Sequence, residues 1–333
     1  MKVYGRLQGA SMCKYKIKAP ARLHINLLAM NASSYRINGG IGFAIKGFDT
    51  VISSEPWSEN CVLETSIDLD RGTLNETLCV FLNKIYFAVG ATIPVKIFIE
   101  SRAPKHSGFG GGTSLKLAIV ESVLLVNKLS RSQKEKVELS KRGGTSGVGV
   151  NTYFKGGFIA DAGVVNLGNS LISSSLRESM HFEEPTLLIS SKMPSWFIGV
   201  FLAKDSVGLS GSEESDFFIK NTPISQAGVE ASTYHAFMGV ASSVVDNNYS
   251  LFADSIRNIQ ELEWKRAEWN VQTDQVFEAR SLLYKAGATS VGLSSFGPAL
   301  YFTGENLNTS CLEALGKLVS TSPDNFGRVI ERV

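Results

Sequence analysis

The stretch Pro104–Leu117 (PKHSGFGGGTSLKL) holds four glycines, Gly108, Gly110, Gly111 and Gly112, whose spacing suggests chemistry. Glycine lacks a Cβ and tolerates positive φ, so such a backbone can approach a ligand closely and aim its N–H groups at it. A strand-like apolar run, Pro94–Glu100 (PVKIFIE), precedes the loop, and Thr113–Leu129 follows with the hydrophobicity of a helix. A helix N-terminus behind the turn would add unsatisfied N–H donors and a positive dipole end, which suit a phosphate. Thr113 and Ser114 supply hydroxyls at the mouth for a phosphate oxygen or a metal ion. No Lys-Ser/Thr pair follows the glycines at the Walker spacing. A tight strand-to-helix turn with no ligand would use the same residues.

A second unusual loop is Lys141–Val150 (KRGGTSGVGV), where Arg142 beside Lys141 precedes Gly143, Gly144, Thr145 and Ser146. Short hydroxyls, glycine backbone and a cation are what a second anion site requires, although a flexible linker shares the composition. Asp161, in GGFIADAG, is the one carboxylate nearby. In Arg22–Leu28 (RLHINLL) polar and apolar residues alternate, which on a strand puts Arg22, His24 and Asn26 on one face and Leu23, Ile25 and Leu27 on the other. That face would present a cation, an imidazole and an amide to a cleft, or to solvent. Glu261, Lys265, Arg266 and Glu268 cluster about Trp264 and Trp269. A charge run is usually a solvated face, but the flanking tryptophans favour a buried or cleft-lining position.

The elements that position these residues alternate. Residues 1–13 show no period and read as an extension. Strand-like text runs from Tyr15 through Phe43–Ile45, Asp49–Glu55 and Cys61–Ser66. Leu74–Val89 reads as a helix, with Leu78, Phe81, Leu82 and Ile85 at three- and four-residue spacing. Leu115–Leu129, apolar on most sides, should be a buried central helix. Ser132–Glu135 is a capping box opening a short helix through Lys141. Asn151–Ala160 reads as a strand. The Ser/Asn/Glu-rich stretch 164–185 divides the chain into 14–178 and 179–333. The second unit opens with strands at Thr186–Ile189 and Trp196–Ala203. Helices at Ala227–Val245, Ser250–Trp264 and Thr273–Gly287 follow, then a hairpin at Ser290–Phe302, a helix from about Leu307 to Val319 and a last strand near Gly327–Val333. This order predicts an α+β fold with helices over one face of a mainly antiparallel sheet.

Composition limits the partners. The 333 residues are 44% hydrophobic and 19% charged, enough apolar surface for a sizeable core. A net charge of +2 creates no global field for nucleic acid or an anionic membrane. Cys13, Cys61, Cys79 and Cys311 are scattered without zinc spacing, so reduced thiols and a cytoplasmic location are expected. No run reaches the length of a membrane span.

Several spaced motifs, in order, resemble the GHMP kinase superfamily and, within it, the β-ribofuranosylaminobenzene 5′-phosphate synthase family. PARLHINL (20–27) and RINGGIGFAI (36–45) look like its first strands, HSGFGGGTSLKLA (106–118) like its phosphate loop, and KRGGTSGVGVNTYFKGGFIADAG (141–163) like its most specific signature. GLSGSEESDFF (208–218), IQELEWKRAEW (259–269) and GLSSFGPALY (292–301) agree in the second half. Two departures stand out: the loop reads GFGGGTS with Gly111 where a Ser is expected, and Asn38 stands where Asp is frequent.

The resemblance implies a GHMP-kinase-like two-domain fold, with a ribosomal-S5-domain-2-like N-terminal domain and a ferredoxin-like C-terminal domain. It implies a decarboxylative C-ribosyltransferase that joins 5-phosphoribosyl-1-pyrophosphate to an acid such as 4-aminobenzoate or 4-hydroxybenzoate, releasing CO₂ and pyrophosphate. Related enzymes use pyrazole acids in C-nucleoside biosynthesis; an ATP-dependent small-molecule kinase and a catalytically silent relative are the other readings. Negative charge on the leaving pyrophosphate needs N–H donors, cations and Mg²⁺. His106, Gly108, Gly110, Gly111, Gly112, Thr113 and Ser114 are assigned that task, with Lys105. Arg142, Gly143, Gly144, Thr145 and Ser146 are assigned the second anion. Arg22 and His24 are the expected partners of the acceptor carboxylate. Asp161 is the expected base, with Glu268 behind it. Asn26, Lys265, Ser294 and Ser295 complete the expected cleft, and the metal ligands are not identified. A homodimer is a family expectation, with small molecules rather than nucleic acid or membrane as partners.

Overall fold

The computed structural model describes residues 13–32, 35–67, 73–168, 171, 183–204, 206, 208–209, 211–304, 307–308 and 310–333. The first half opens with two long strands, β1 (Tyr15–Ala29) and β2 (Arg36–Pro56), paired antiparallel. A short β3 (Val62–Thr65), helix α1 (Thr73–Ala88) and β4 (Val95–Ser101) form a parallel crossover. Helices α2 (Gly111–Val126), α3 (Gln133–Ser140) and α4 (Val148–Lys155) follow, then β5 (Phe158–Asp161), β6 (Val164–Val165) and β7 (Leu187–Ser191). The far edge of β2 is shared: Gly40–Phe43 pairs with β5, and Val51–Pro56 pairs with β4.

The second half begins with β8 (Ile198–Ala203), then α5 (Ser212–Asn221) and α6 (Gln226–Tyr234). A π-helical stretch, His235–Ala241, joins α6 to α7 (Ser242–Val245). Next come α8 (Tyr249–Gln260), α9 (Glu263–Trp269), α10 (Asp274–Lys285), β9 (Ser290–Leu293), β10 (Leu300–Thr303) and β11 (Gly316–Thr321). Strands β11, β8, β10 and β9 make a four-stranded antiparallel sheet in that order. The last strand, β12 (Val329–Arg332), returns to the first sheet beside β1.

Two sheets with helices packed against them are the expected α+β, two-domain architecture. One core fills the space between the first sheet and α1–α2, with Ile17, Ile97, Leu82 and Val120 fully buried or nearly so. Another spans both halves: Leu23, Ile25 and Phe43 of the first sheet pack with Val200, Phe252, Ile256 and Tyr301 of the second half. Burying a large apolar side chain is worth about 1.5–3 kcal/mol, so this shared core fixes the two halves against each other. Among the described residues no helix is long and apolar enough to cross a membrane.

Four expectations are corrected. Asn151–Ala160 is not one strand: Val148–Lys155 is helical, stabilised locally by Asn151 Nδ2 donating to Gly147 O and the Thr152 hydroxyl to Val148 O. The helix expected over Leu307–Val319 is a single tight turn, Ser310–Leu312, followed by β11, because β8 offers an open edge to that segment. The 186–189 strand does not open the second unit but pairs with β5 in the first sheet. The face shared by Arg22, His24 and Asn26 is broken by a bulge at Ile25, since His24 pairs with Gly42 but Asn26 with Ile41. A one-residue slip sends side chains to opposite faces, so Asn26 leaves the His24 face. The 178/179 division and residues 1–12 lie outside the described residues.

Candidate active site between the two halves

The first glycine loop is anchored by its carbonyl groups. Gly108 O accepts from Arg22 Nη1 and, at 2.7 Å, from the Ser294 hydroxyl. Phe109 O accepts from the Arg22 N–H at 3.0 Å, and His106 O from the Gly208 N–H at 2.8 Å. Ser294 Oγ also accepts the His24 N–H at 3.0 Å, while His24 O takes the Ser295 N–H at 3.0 Å. The turn after β9 is thereby fastened to both β1 and the loop. Gly108 has φ +83°, and a Cβ there would stand 2.0 Å from Ser294 O, so only glycine permits the approach. With its carbonyls engaged, the loop opens α2, whose first N–H groups have no intrahelical acceptor. Thr113 and Ser114 already donate their N–H to Gly110 O, which leaves Gly111 and Gly112 at the mouth.

Both glycine loops open on one cavity of about 360 Å³. Its polar half is lined by Arg22, Arg102, Lys105, His106, Gly108, Gly110–Thr113, Arg142, Gly143, Thr145 and Ser146. Its other half is largely apolar and comes from Leu27, Leu209, Phe218 and Phe296, with Glu214 the one carboxylate on the wall among the described residues. Trp264 and Phe217 pack behind Phe218 and Phe296. A larger groove of about 560 Å³ between α1, α2 and α3 carries no glycine of either loop; Lys141 turns there while Arg142 faces the site. Volume alone therefore does not select the site.

The polar half has an excess of positive charge. Burial, then Arg142, pushes Arg22 down to about 10, against the pull of Glu268 and Glu214, so it stays charged at neutral pH. Burial, then Arg22 and Lys265, holds His24 well below the usual imidazole range. His106 is lowered by burial, Lys105 and Arg102. Cations that destabilise one another around an open space are an arrangement that a bound anion relieves.

Not all of the expected residues reach the cavity. Arg22, His24, His106, the first-loop glycines, Thr113, Arg142, Gly143, Thr145, Ser146 and Ser295 line the cavity, whereas Gly144 does not. Ser114 is turned away, its hydroxyl reaching Pro20 O at 3.4 Å. Asp161 is fully buried behind the wall; it accepts from the Ser146 hydroxyl and the Gly147 N–H, each at 2.9 Å, and from the Gly163 N–H at 3.0 Å. Lys265 and Glu268 form a buried pair on α9, with Lys265 Nζ also donating to Leu293 O at 3.2 Å and Trp264 Nε1 to Glu268 Oε1 at 2.8 Å. They lie outside the cavity wall, so Glu268 does not back up a base there. Asn26 is fully buried, also outside the wall, with its amide unpartnered among the described residues.

The apolar half was not foreseen. Leu27, Leu209, Phe218 and Phe296 lie in stretches that stood out in the sequence, PARLHINL, GLSGSEESDFF and GLSSFGPALY, but nothing in those stretches showed that the four side chains meet. Arg102 was a legible signal, as a cation just before the glycine loop.

No cluster of three or more His, Cys, Asp or Glu side chains suited to a metal occurs among the described residues. The wall offers Glu214 and the hydroxyls of Thr113 and Ser146 among cations. That set does not fit a resident protein cage for magnesium, which prefers carboxylates together with substrate phosphates.

Comparison with known proteins agrees with this architecture. Residues 74–158 match the GHMP kinases N terminal domain. The chain is 29% identical over 293 residues to β-ribofuranosylphenol 5′-phosphate synthase of Methanothermobacter thermautotrophicus, covering 86% of this chain and 87% of that protein. The protein of the same name from Methanocaldococcus jannaschii is 28% identical over 301 residues, covering 87% and 89%. Among solved structures, homoserine kinase from Cytophaga hutchinsonii aligns over 99% of this chain and 100% of its own with a TM-score of 0.67 at 14% identity. Mevalonate diphosphate decarboxylase from Enterococcus faecalis aligns over 97% and 100% with a TM-score of 0.64, also at 14% identity. These structures share the fold.

Proposed function

We propose that this chain, a homologue of the archaeal β-ribofuranosylphenol 5′-phosphate synthases with a GHMP kinase N-terminal domain, is a decarboxylating C-ribosyltransferase. It joins 5-phosphoribosyl-1-pyrophosphate to an aromatic acid of the 4-hydroxybenzoate type and releases CO₂ and pyrophosphate. The observation that carries this reading is the division of one cavity into a cationic half built from both glycine loops and an apolar half built from Leu27, Leu209, Phe218 and Phe296. The first suits a sugar carrying phosphate at both ends; the second suits a flat ring.

In this mechanism the N–H groups at the start of α2, with Arg142 and Arg22, stabilise charge growing on the departing pyrophosphate. Fixed donors do this without reorganising as the C1–O bond breaks. The cavity holds the acceptor ring against C1, replacing a bimolecular encounter by a positioned one. Arg22, charged and on the cavity wall, is the cation for the acceptor carboxylate; His24, held neutral, is not. Magnesium arrives on the diphosphate as part of the substrate, where it neutralises charge.

A kinase reading would require an Asp–Lys pair facing the cavity. Among the described residues the single carboxylate lining it is Glu214, and Asp161 and Lys265 stand behind the wall. Free thiols at all four cysteines suit the cytoplasm, and a homodimer, testable by analytical ultracentrifugation, is part of this reading. The deciding experiment incubates the purified protein with Mg²⁺, phosphoribosyl pyrophosphate and a panel of benzoic and pyrazole acids. Equimolar CO₂ and pyrophosphate are expected with one class of acid. ADP formation from ATP without phosphoribosyl pyrophosphate would sink the reading.

A further inference from the structure

Ser146 stands between two titratable side chains. Its Oγ lies 2.9 Å from Asp161 Oδ2 and 3.3 Å from His24 Nε2, and accepts the Val148 N–H at 3.2 Å. A hydroxyl has one proton and two lone pairs. With Asp161 ionised the count closes in one way: Ser146 donates to the carboxylate and accepts from Val148 N–H and His24 Nε2–H. His24 is then the Nε2–H tautomer, and its Nδ1 is a bare acceptor. That atom is buried, with no partner among the described residues, on a ring that lines the cavity. Gly40 leaves room for the contact, since a Cβ there would stand 2.8 Å from both His24 Nε2 and Ser146 Oγ.

We infer that Asp161, Ser146 and His24 form a proton relay whose unpartnered end, His24 Nδ1, takes the hydroxyl proton of a phenolic acceptor and later returns it. This rests on the ribosyl-transfer reading. The phenol proton passes to Nδ1, the Nε2 proton to Ser146 Oγ, and the Ser146 proton to Asp161 Oδ2. The phenolate pair is delivered through the ring to the carbon bearing the carboxylate, which bonds ribose C1 as the C1–O bond to pyrophosphate breaks. When the carboxylate leaves as CO₂, its bonding pair restores the ring and the phenolate, and the proton returns by the same path.

His24 is neutral before and after the transfer and changes only its tautomer. Arg22 and Lys265, which face it and oppose its charging, therefore do not block the relay. Asp161 receives the proton; burial pushes its carboxyl up to about 7, with Gly163, Ser146, Gly147 and Gly40 as its hydrogen-bonding neighbours. Asp161 and Ser146 act through His24 and are positioning residues. An amino acceptor pushes electrons from its nitrogen lone pair and has no proton to lose before attack, so the relay discriminates between acceptor classes.

The test compares Ser146→Ala and Asp161→Asn with the parent enzyme on 4-hydroxybenzoate and 4-aminobenzoate, with Mg²⁺ and saturating phosphoribosyl pyrophosphate. General-base contributions run to about 10²–10⁴-fold, so each variant should lose at least about tenfold more kcat with the hydroxy acid than with the amino acid. Calorimetric binding of phosphoribosyl pyrophosphate and thermal melting identify a variant that fails to fold. Should Ser146→Ala not fold, Asp161→Asn is judged by the same ratio, with His24→Gln alongside it. Equal losses on both acids, or no loss, overturn the relay alone. A parent enzyme that releases neither pyrophosphate nor CO₂ with any acid overturns the ribosyl-transfer reading and the relay together.

Discussion

Arg142 Nε donates to the Thr113 hydroxyl at 3.0 Å, tying the second glycine loop to the first turn of the helix that follows the other. The two loops therefore hold their spacing without a ligand. Preorganisation of this kind lowers the ordering cost of binding and keeps the donors aimed at charge that develops only as the leaving group departs.

Arg142→Ala should weaken binding of phosphoribosyl pyrophosphate with Mg²⁺. A hydrogen bond to a charged group is worth about 1.5–3 kcal/mol, roughly a 10–100-fold rise in Kd. Arg142→Lys should recover only part of this, because an ammonium cannot hold Thr113 and an anion in one planar fork. Isothermal calorimetry measures both, and an unchanged Kd in the alanine variant would remove the second loop from the binding site.

Two glycines in one loop should respond in opposite ways. Gly108→Ala meets Ser294 O at 2.0 Å in a left-handed conformation, while Gly112 has nothing within 4 Å of its would-be Cβ. Gly108→Ala should cost about 1–3 kcal/mol of stability through the strained backbone alone, before any steric term. Gly112→Ala, at the start of α2, should be neutral or gain up to about 1 kcal/mol from helix propensity. Urea denaturation separates them. Gly112→Ala should still bind the diphosphate sugar less tightly, because the added methyl stands in the mouth.

What the sequence made legible follows from how local each constraint is. Gly108 and Gly143 have φ of +83° and +85°, a requirement that writes itself directly as glycine. The alternation at Arg22 and His24 was readable because a strand period is local, but the bulge at Ile25 depends on the partner strand, and so Asn26 was misplaced. Asp161 was visible as a carboxylate near a glycine loop. Its full burial depends on β2 and β7 closing over β5, which no window of sequence contains. That the apolar side chains of the cavity come together was not legible, since Leu27 and Phe296 meet only when the second half docks on the first.

Glu121 anchors the end of the chain to the central helix. It is 1% exposed and accepts from Arg328 Nε at 2.7 Å and Nη2 at 3.0 Å, from Lys136 Nζ at 2.8 Å and from the Tyr153 hydroxyl at 2.8 Å. Burial raises its carboxyl, but Arg328 and Lys136 outweigh that and hold it below the usual range. Removing one partner of a buried pair costs about 3–5 kcal/mol when the other charge is left uncompensated; here Lys136 still pairs with Glu121, so the loss should fall below that range. Arg328→Met should lower the melting temperature accordingly, and Glu121→Met with Arg328→Met should cost less than the two single changes summed. Strict additivity in that double-mutant cycle would mean the pair contributes nothing as a pair.

The pH dependence of stability should carry the mark of Asp161. Its carboxyl titrates near about 3.9 in an unfolded chain and is pushed up to about 7 in the folded one, because burial outweighs the hydrogen bonds to the ionised form. Between those values the folded protein keeps a proton that the unfolded chain has released. The contribution is therefore fully present below about pH 4 and is lost as pH rises toward 7. Three units correspond to roughly 4 kcal/mol across that window. His24 acts with the opposite sign: its depressed folded value gives stability that is present above about pH 6.5 and lost as pH falls. Asp161→Asn cannot ionise, so its stability should decline less than that of the parent between pH 4.5 and 7, by about 2–4 kcal/mol in urea denaturation. Parallel curves for the two proteins would mean that Asp161 is ionised at low pH in the folded state, and the relay's proton would then need another terminus.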